Sequence, residues 1–501
     1  MKLNYKRTIL VGMAFFLISA FWQAYDAIVP LILTNHYGLP QTVSGAIMSF
    51  DNILAVFMLP IFGAISDKVC TKKLGRRTPF ILVGTITAIV AFVFLALVDA
   101  YQFNALIDAG IHEKYTSAEA LLNAAKETLK SAKASGDAAA IAKANEAVEI
   151  INASIDSIRS DVLTFTLNNI WPLVSFIGAL LIVLVAMASF RSPAVALMPD
   201  VTVKPLRSKG NAIINLTGTA GGILVLVLGM IMGTSKHISM QYIGYVLAVV
   251  AIMGTGLIVF MLTVREKKWV QEMEEDSVRF GIEESSANVE NAEKRSLSRG
   301  ELTSLLLILV SVALWFIGYN SITSKYSVYA TNILGFDFNV TLLIANAAAI
   351  VSYIPVGIIS SKLGRKKTIL AGIVILASAF FIGNFVTRET PSAVMFPVFI
   401  LAGIGWATIN VNSFPMVVEL AKGGDVGKYT GYYYTASMSA QIVAPILSGL
   451  LYDLIGMRYV FFAFGTIFVA LSFLTMFFVR HGDSKNLNEK KSALEHLDID
   501  D

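Results

Sequence analysis

Two carboxylates stand inside apolar stretches of this chain. Asp26 closes Phe21-Trp22-Gln23-Ala24-Tyr25-Asp26, and Asp51 is followed by Asn52. An ionisable group within an apolar span is expensive and faces a cavity or a partner. Each is therefore a candidate to carry a proton, Asp51 first and Asp26 second. The plain alternative is a structural acid tying two helices together. Aromatic and amide side chains interrupt the same kind of stretch: Trp22, Gln23, Asn52, Trp315, Tyr319, Asn320, Trp406, Asn410, Asn412 and Gln441. An unpaired amide in hydrocarbon costs free energy. These residues are expected to converge on a polar cavity, where ring faces stack on a sugar and amides and carboxylates take its hydroxyls.

The elements that must position them are membrane spans. Of 501 residues, 55% are hydrophobic and 15% charged, far from the balance of a soluble globular chain. A spanning helix needs about 20 apolar residues. Candidates fall at about 8–34, 41–65, 79–100, 166–190, 209–233, 241–264, 302–328, 339–361, 368–387, 392–418, 429–451 and 457–479. Alternate loops are basic: Lys68, Lys72, Lys73, Arg76 and Arg77 in one, Arg191, Lys204, Arg207 and Lys209 in the next, Lys362, Arg365, Lys366 and Lys367 in a third. The loops between carry few bases, such as Lys236, Arg388 and Arg458. This asymmetry fits twelve spans with the basic loops and both termini in the cytoplasm, and the membrane is expected to be the plasma membrane. Lys325 is expected to snorkel to the outer surface, the alternative being a buried pair with an acid. The net charge of +4 therefore sets topology and implies no nucleic-acid partner. A single cysteine, Cys70, excludes an intrachain disulfide. No cleavable signal is expected, because the first apolar run is too long.

Between the second and third runs lies Gly63-Ala-Ile-Ser-Asp67-Lys68, then Gly75-Arg76-Arg77-Thr78-Pro79. A shorter copy, Gly357-Ile-Ile-Ser-Ser-Lys-Leu-Gly364-Arg365-Lys366-Lys367, begins 294 residues later. Asp26 and Asn320 are also 294 residues apart. Two landmarks at one offset argue for an internal duplication. The loop resembles the signature loop of the major facilitator superfamily. Its longer form, Ser66-Asp67-Lys68 through Gly75-Arg76-Arg77-Thr78-Pro79-Phe80, looks most like the sucrose/proton symporters, the plant sucrose carriers and their animal and bacterial relatives within the glycoside-pentoside-hexuronide-like group.

That resemblance implies an all-α membrane protein of twelve helices in two pseudo-symmetric six-helix bundles. It implies proton-coupled symport of a sugar, a glucoside disaccharide such as sucrose or maltose, by alternating access, with no cofactor beyond the proton. It also implies a gate built from Gly63, Asp67, Gly75, Arg76, Arg77, Asp200, Arg207, Gly364, Arg365 and Glu419. The sucrose carriers place an arginine where Val195 stands here; the nearest base is Arg191, four residues earlier. The related sodium/melibiose-type carriers pair carboxylates on the second helix. Here Leu54, Ala55 and Val56 follow Asp51, against a sodium site.

The chain divides into 1–264, a linker at 265–300 with seven bases and nine acids, 301–480 and a tail at 481–501. Residues 101–165 are inserted between the third and fourth spans. Tyr115, Ala118, Leu122, Ala125, Leu129 and Ala132, then Ile141, Ala144, Val148, Ile151, Ile155 and Ile158, repeat at helical spacing around a turn at Ser135-Gly136-Asp137. This reads as an extracytoplasmic helical hairpin, with Thr116-x-x-Glu119 as a capping box. No zinc spacing, phosphate loop or nucleophile elbow argues for an enzyme. An exporter or facilitator of another small molecule, and a membrane sensor whose hairpin binds an unknown partner, stay open; a monomer in the bilayer is expected.

Overall fold

The computed structural model describes residues 3–69, 71, 73–203, 206–279, 298–388, 390–420 and 426–482. Among these the chain is helical. In lipid a backbone must satisfy its own hydrogen bonds, and long apolar runs do so as helices. Before the linker come α1 (Tyr5–Asn35), α2 (Gln41–Met48), α3 (Phe50–Lys68), α4 (Thr78–Asp108), α5 (Ile111–Ser135), α6 (Ala138–Asn168), α7 (Trp171–Asp200), α8 (Arg207–Met232) and α9 (Ile243–Thr263). After them follow α10 (Glu266–Arg279), α11 (Arg299–Thr323), α12 (Tyr326–Val328), α13 (Phe338–Leu363), α14 (Arg365–Gly383), α15 (Met395–Glu419), α16 (Val426–Leu451) and α17 (Met457–Phe477). Ten helical stretches are long and apolar enough to cross a membrane. One of them, Tyr429–Phe477, comprises both α16 and α17, broken at Gly456 (φ +106°), and Phe338–Tyr353 adds a shorter apolar helix. The count then reaches the twelve read from the apolar runs.

The second span is not one rod. It breaks at Ser49, whose hydroxyl shares its one proton between Gly45 O and Ile442 O, both at 2.9 Å. Asp51 is thereby set in the first turn of α3. The seventh span is also irregular, ending at Thr323 and resuming as α12 and a π-turn over Tyr329–Leu334.

Two faces are distinguished by their contents. The loop face carries the turn from Asp67 to Arg77, the start of α1, and α10. The hairpin face carries α5 and α6. Hydrogen bonds between the two halves gather on the hairpin side. Asp453 accepts from Gln41 N, Thr42 N and the Thr42 hydroxyl at 2.6–2.8 Å. Asn35 and Asn332 exchange amide bonds at 3.1 and 3.4 Å. Asn339 Nδ2 donates to Thr234 Oγ1 at 2.9 Å. Lys325 lies in this seam, fully buried, and donates to Ser44 Oγ at 2.6 Å. It does not reach the surface as snorkelling would have it, because the break after α11 turns it toward α2.

Helices α5 and α6 form an antiparallel pair. Their turn is built by Gly136, at φ +70°, and by Asp137, which caps α6 by accepting from Ala139 N and Ala140 N. Tyr115, Ala118, Leu122, Ile155 and Ile158 are buried in a cluster with Leu106 and Ile238. Two boundaries differ from the sequence reading. Residues 101–108 continue α4, because Gln102, Phe103 and Leu106 are buried there and Gln102 Nε2 donates to His36 O at 2.9 Å. The second arm runs to Asn168, and α7 starts only at Trp171. Thr116 is no cap: α5 has already begun at Ile111, and the Thr116 hydroxyl donates to His112 O at 3.1 Å.

The pair touches both halves. Arg159 Nε donates to Asn35 Oδ1 at 3.4 Å, and Arg388, from the turn before α15, donates to Asn152 Oδ1 at 3.1 Å. Burial, reinforced by the Arg388 charge, pushes Lys126 down from 10.5 to about 8, with Glu119 opposing. Below pH 8 the docked and undocked states both hold this proton, so docking is insensitive to pH there. Between about 8 and 10.5 the undocked state binds more protons, so docking strengthens as pH rises. A spin label at exposed Leu121 should therefore lose mobility from pH 8 to 9.5 and change little from 7 to 8. In Lys126→Met that dependence should vanish; its persistence there would assign the effect elsewhere.

Candidate functional site

A cavity of about 190 Å³ lies between the halves. α1 supplies Trp22, Tyr25 and Asp26, α3 supplies Asp51 and Asn52, and α7 supplies Arg191. Asn320 and Thr323 of α11 and Gln441 of α16 close it from the other half. Asp51 Oδ1 accepts from Asn52 N at 2.6 Å and from Asn52 Nδ2 at 2.7 Å, so Asn52 orients the acid before it can serve any ligand. Asp26 is exposed to the cavity. Arg191 stands 6.0 Å from the Trp22 ring centre and within electrostatic range of Asp51. Trp22 Nε1 and Tyr25 Oη are buried without a partner among the described residues. Asn320 and Gln441 spend their amide N–H groups on Phe316 O and Ser437 O of their own helices, at 2.8 and 3.2 Å. Among the described residues their amide oxygens accept no hydrogen bond.

The site thus offers two acids, one guanidinium, two unsatisfied donors and two amide acceptors within one polar space. Unsatisfied buried donors are costly, and a hydroxyl-rich solute would relieve them. Of the residues expected here, Trp22, Asp26, Asp51, Asn52, Asn320 and Gln441 are brought together. The others are elsewhere. Gln23 is half-buried beside Gly222 of α8. Trp315 is fully buried in the helical core. Tyr319 and Trp406 stack on each other, 3.7 Å apart and 7° from parallel, with Phe316 edge-on to Trp406. Asn412 ties α13 to α15, pairing with Ser360 Oγ and donating to Thr408 O at 2.8 Å. Asn410 is exposed and contributes a backbone carbonyl to Ser413. The sequence reading counted Arg191 among the bases of a cytoplasmic loop, but α7 continues to Asp200, so Arg191 sits within the helix and lines the cavity instead. It lies one helical turn from Val195, and i, i+4 positions share a face.

On the loop face one guanidinium is held by two acids. Arg77, 6% exposed, pairs with Asp67 at 2.6 Å and with Asp200 at 2.8 Å, and also donates to Ser66 Oγ. Asp67, Arg77 and Asp200, three members of the expected gate, are thus brought together. Asp67 is more than half exposed and Asp200 partly so, which discounts the charge term. Arg76 contributes its backbone N–H, at 2.6 Å from Glu266, while its side chain is exposed. Glu266 went unrecognised in the sequence. Its buried carboxylate also accepts from Arg77 N, Thr78 N and the Thr78 hydroxyl at 2.7–3.1 Å. Gly75, at φ +93°, lies where a Cβ would meet that carboxylate. Gly364 repeats the backbone geometry at φ +91°. Arg365 donates to Pro415 O at 3.3 Å. Gly63 lets α3 approach Ser192 of α7 closely. The side chains of Arg207 and Glu419, and Cys70, lie outside the described residues.

Two helical halves around a central polar cavity, with a charged turn repeated in each, define a membrane carrier of the secondary-transporter class. Residues 162–353 and 342–499 match the Major Facilitator Superfamily, and residues 10–106 match the MFS/sugar transport protein family. The chain belongs to the Major Facilitator Superfamily, a family of multi-pass transporters and not of enzymes. Among solved structures it is similar to the inward-open xylose transporter XylE from E. coli, with TM-score 0.60, 11% identity, and coverage of 98% of this chain and 100% of that one. A POT family transporter in complex with 5-aminolevulinic acid gives TM-score 0.60 at 10% identity, covering 94% and 95%. A point mutant of the nucleoside transporter NupG gives 0.54 at 13%, covering 94% and 100%. At these identities the likeness is one of fold.

Proposed function

We propose that this chain is a proton-coupled carrier of a sugar, working by alternating access. The observation that carries this reading is the cavity, where two acids and Arg191 surround the unpartnered Trp22 indole and Tyr25 hydroxyl. Asp51 and Asp26 are the proton-carrying candidates; Trp22, Tyr25, Asn320, Gln441 and Arg191 face the solute. The likeness to a D-xylose-proton symporter supports this through fold only. The cavity is smaller than the roughly 300–1,000 Å³ of sites for drug-sized ligands. That favours a single sugar ring in this state, with a disaccharide such as sucrose or maltose requiring it to widen.

Basic residues crowd the loop face, which supports a cytoplasmic loop face, cytoplasmic termini and an outward hairpin in a plasma membrane. The hairpin-side seam then closes the outer entrance, and the Arg77 cluster organises the inner one. An exporter or facilitator of another polar solute fits the same fold.

Purified protein in proteoliposomes tests the reading. A pH gradient should drive uptake of at least one labelled pentose, hexose or disaccharide, and the same sugar should raise the melting point of the protein in detergent. A panel with neither effect would remove sugar as cargo.

A further inference from the structure

Lys325 is 0% exposed, and so is Ser44, its hydrogen-bond acceptor across the seam at 2.6 Å. An ammonium has three donors, and Ser44 is its one acceptor among the described residues. Asp453 is the acid that acts on it through space, yet that carboxylate is already committed to the start of α2. The seam beside it is tight. A Cβ on Gly45 would collide with Pro445 O, and one on Gly449 would crowd Gln41 O. A cation taken from water into such a place regains less than it loses when its pairing is incomplete. The opposite holds for Asp453, which is exposed and caps a helix of the other half with three hydrogen bonds.

We propose that Lys325 opposes closure of the hairpin-face gate, keeping the closed state shallow enough to reopen, and that Asp453 is the latch it works against. Separation of the halves floods the seam and rehydrates the ammonium, while α2 loses its cap. This rests on the alternating-access reading above. It adds that the balance between the two states is set at the seam and not only at the cavity.

The test uses the full chain in nanodiscs, with Cys70→Ser and spin labels at exposed positions 236 and 392, one on each half of the hairpin face. Lys325→Met keeps the bulk and removes the charge. It should raise the ratio of the closed, short-distance population to the open one roughly tenfold, as replacement of buried charges by apolar groups stabilises a buried site. Ser44→Ala strands the ammonium and should lower that ratio by roughly fivefold or more. Asp453→Asn should lower it as well. The double variant Lys325→Met/Ser44→Ala should match Lys325→Met alone, since the hydroxyl then has no cation to serve. Lys325→Met that opens the face or leaves the populations unchanged overturns the proposal. If that variant does not fold, a silent Ser44→Ala overturns it instead. A wild-type distance that stays single at every pH and with every sugar would sink alternating access itself, a separate failure.

Discussion

Asp51→Asn should abolish uphill accumulation driven by a pH gradient while sparing exchange of solute at equal concentrations. With one proton carried per solute, each unit of pH gradient supports up to about tenfold accumulation, because one unit is worth about 1.4 kcal/mol. The variant should therefore equilibrate its solute and stop. Asparagine keeps the shape and an oxygen that can accept from Asn52 N and Nδ2, the two bonds that hold Asp51 in the first turn of α3. What it cannot do is titrate. Exchange needs only binding and rocking, so it should persist. If Asp51 is a structural acid, the variant should instead lose yield or melting temperature, and exchange with it. If Asp26 is the carrier, the separation of accumulation from exchange should appear in Asp26→Asn. Full gradient-driven accumulation by a well-folded Asp51→Asn protein would rule out the assignment.

Those two acids were legible because they interrupt apolar runs, and a charge in hydrocarbon needs a reason. The spans were legible from length and composition for a similar reason. The faces of the spans were not. A helix apolar all round carries no period that separates a cavity side from a packed side. Trp315, Tyr319, Trp406 and Asn412 were therefore expected at the cavity alongside Asn320 and Gln441. In fact Tyr319 and Trp406 satisfy each other by stacking, and Asn412 is consumed by Ser360 and Thr408. Of the two readings of Lys325, snorkelling fails because it presumes a regular helix leading outward, whereas the span breaks there and leaves the ammonium buried. Arg191 carried a usable signal in its one-turn offset from Val195. Glu266 carried none: its donors are nearly two hundred residues away, and no spacing in the linker points to them.

Glu266→Ala is expected to have the largest effect on stability. The start of α4 has no local side-chain cap, and Pro79 brings no N–H to it. Its free donors, Arg76 N, Arg77 N and Thr78 N, all turn to the Glu266 carboxylate, and the Thr78 hydroxyl joins them. Glu266 and Thr78 are both buried. Each donor stranded away from water costs about 1–3 kcal/mol, and the anion at a helix start adds up to about 2 kcal/mol. Water entering the vacated space recovers part of this, leaving a loss of about 3–5 kcal/mol. For a chain of this length that lowers the apparent melting point by roughly 5 °C. Glu266→Gln keeps one acceptor oxygen and should fall between the two. Gly75→Ala should resemble Glu266→Ala, since the added Cβ meets the same carboxylate and φ +93° strains any L side chain. The cap also anchors α10, which Arg7 grips through Glu272 at 3.1 Å and by stacking over Trp269 at 4.9 Å. Arg7→Ala should therefore cost less in the Glu266→Ala background than alone, because both changes release the same helix. Equal losses in the two backgrounds would mean that cap and clamp act independently, and an unchanged melting point in Glu266→Ala would mean that the turn from Gly75 to Thr78 holds itself.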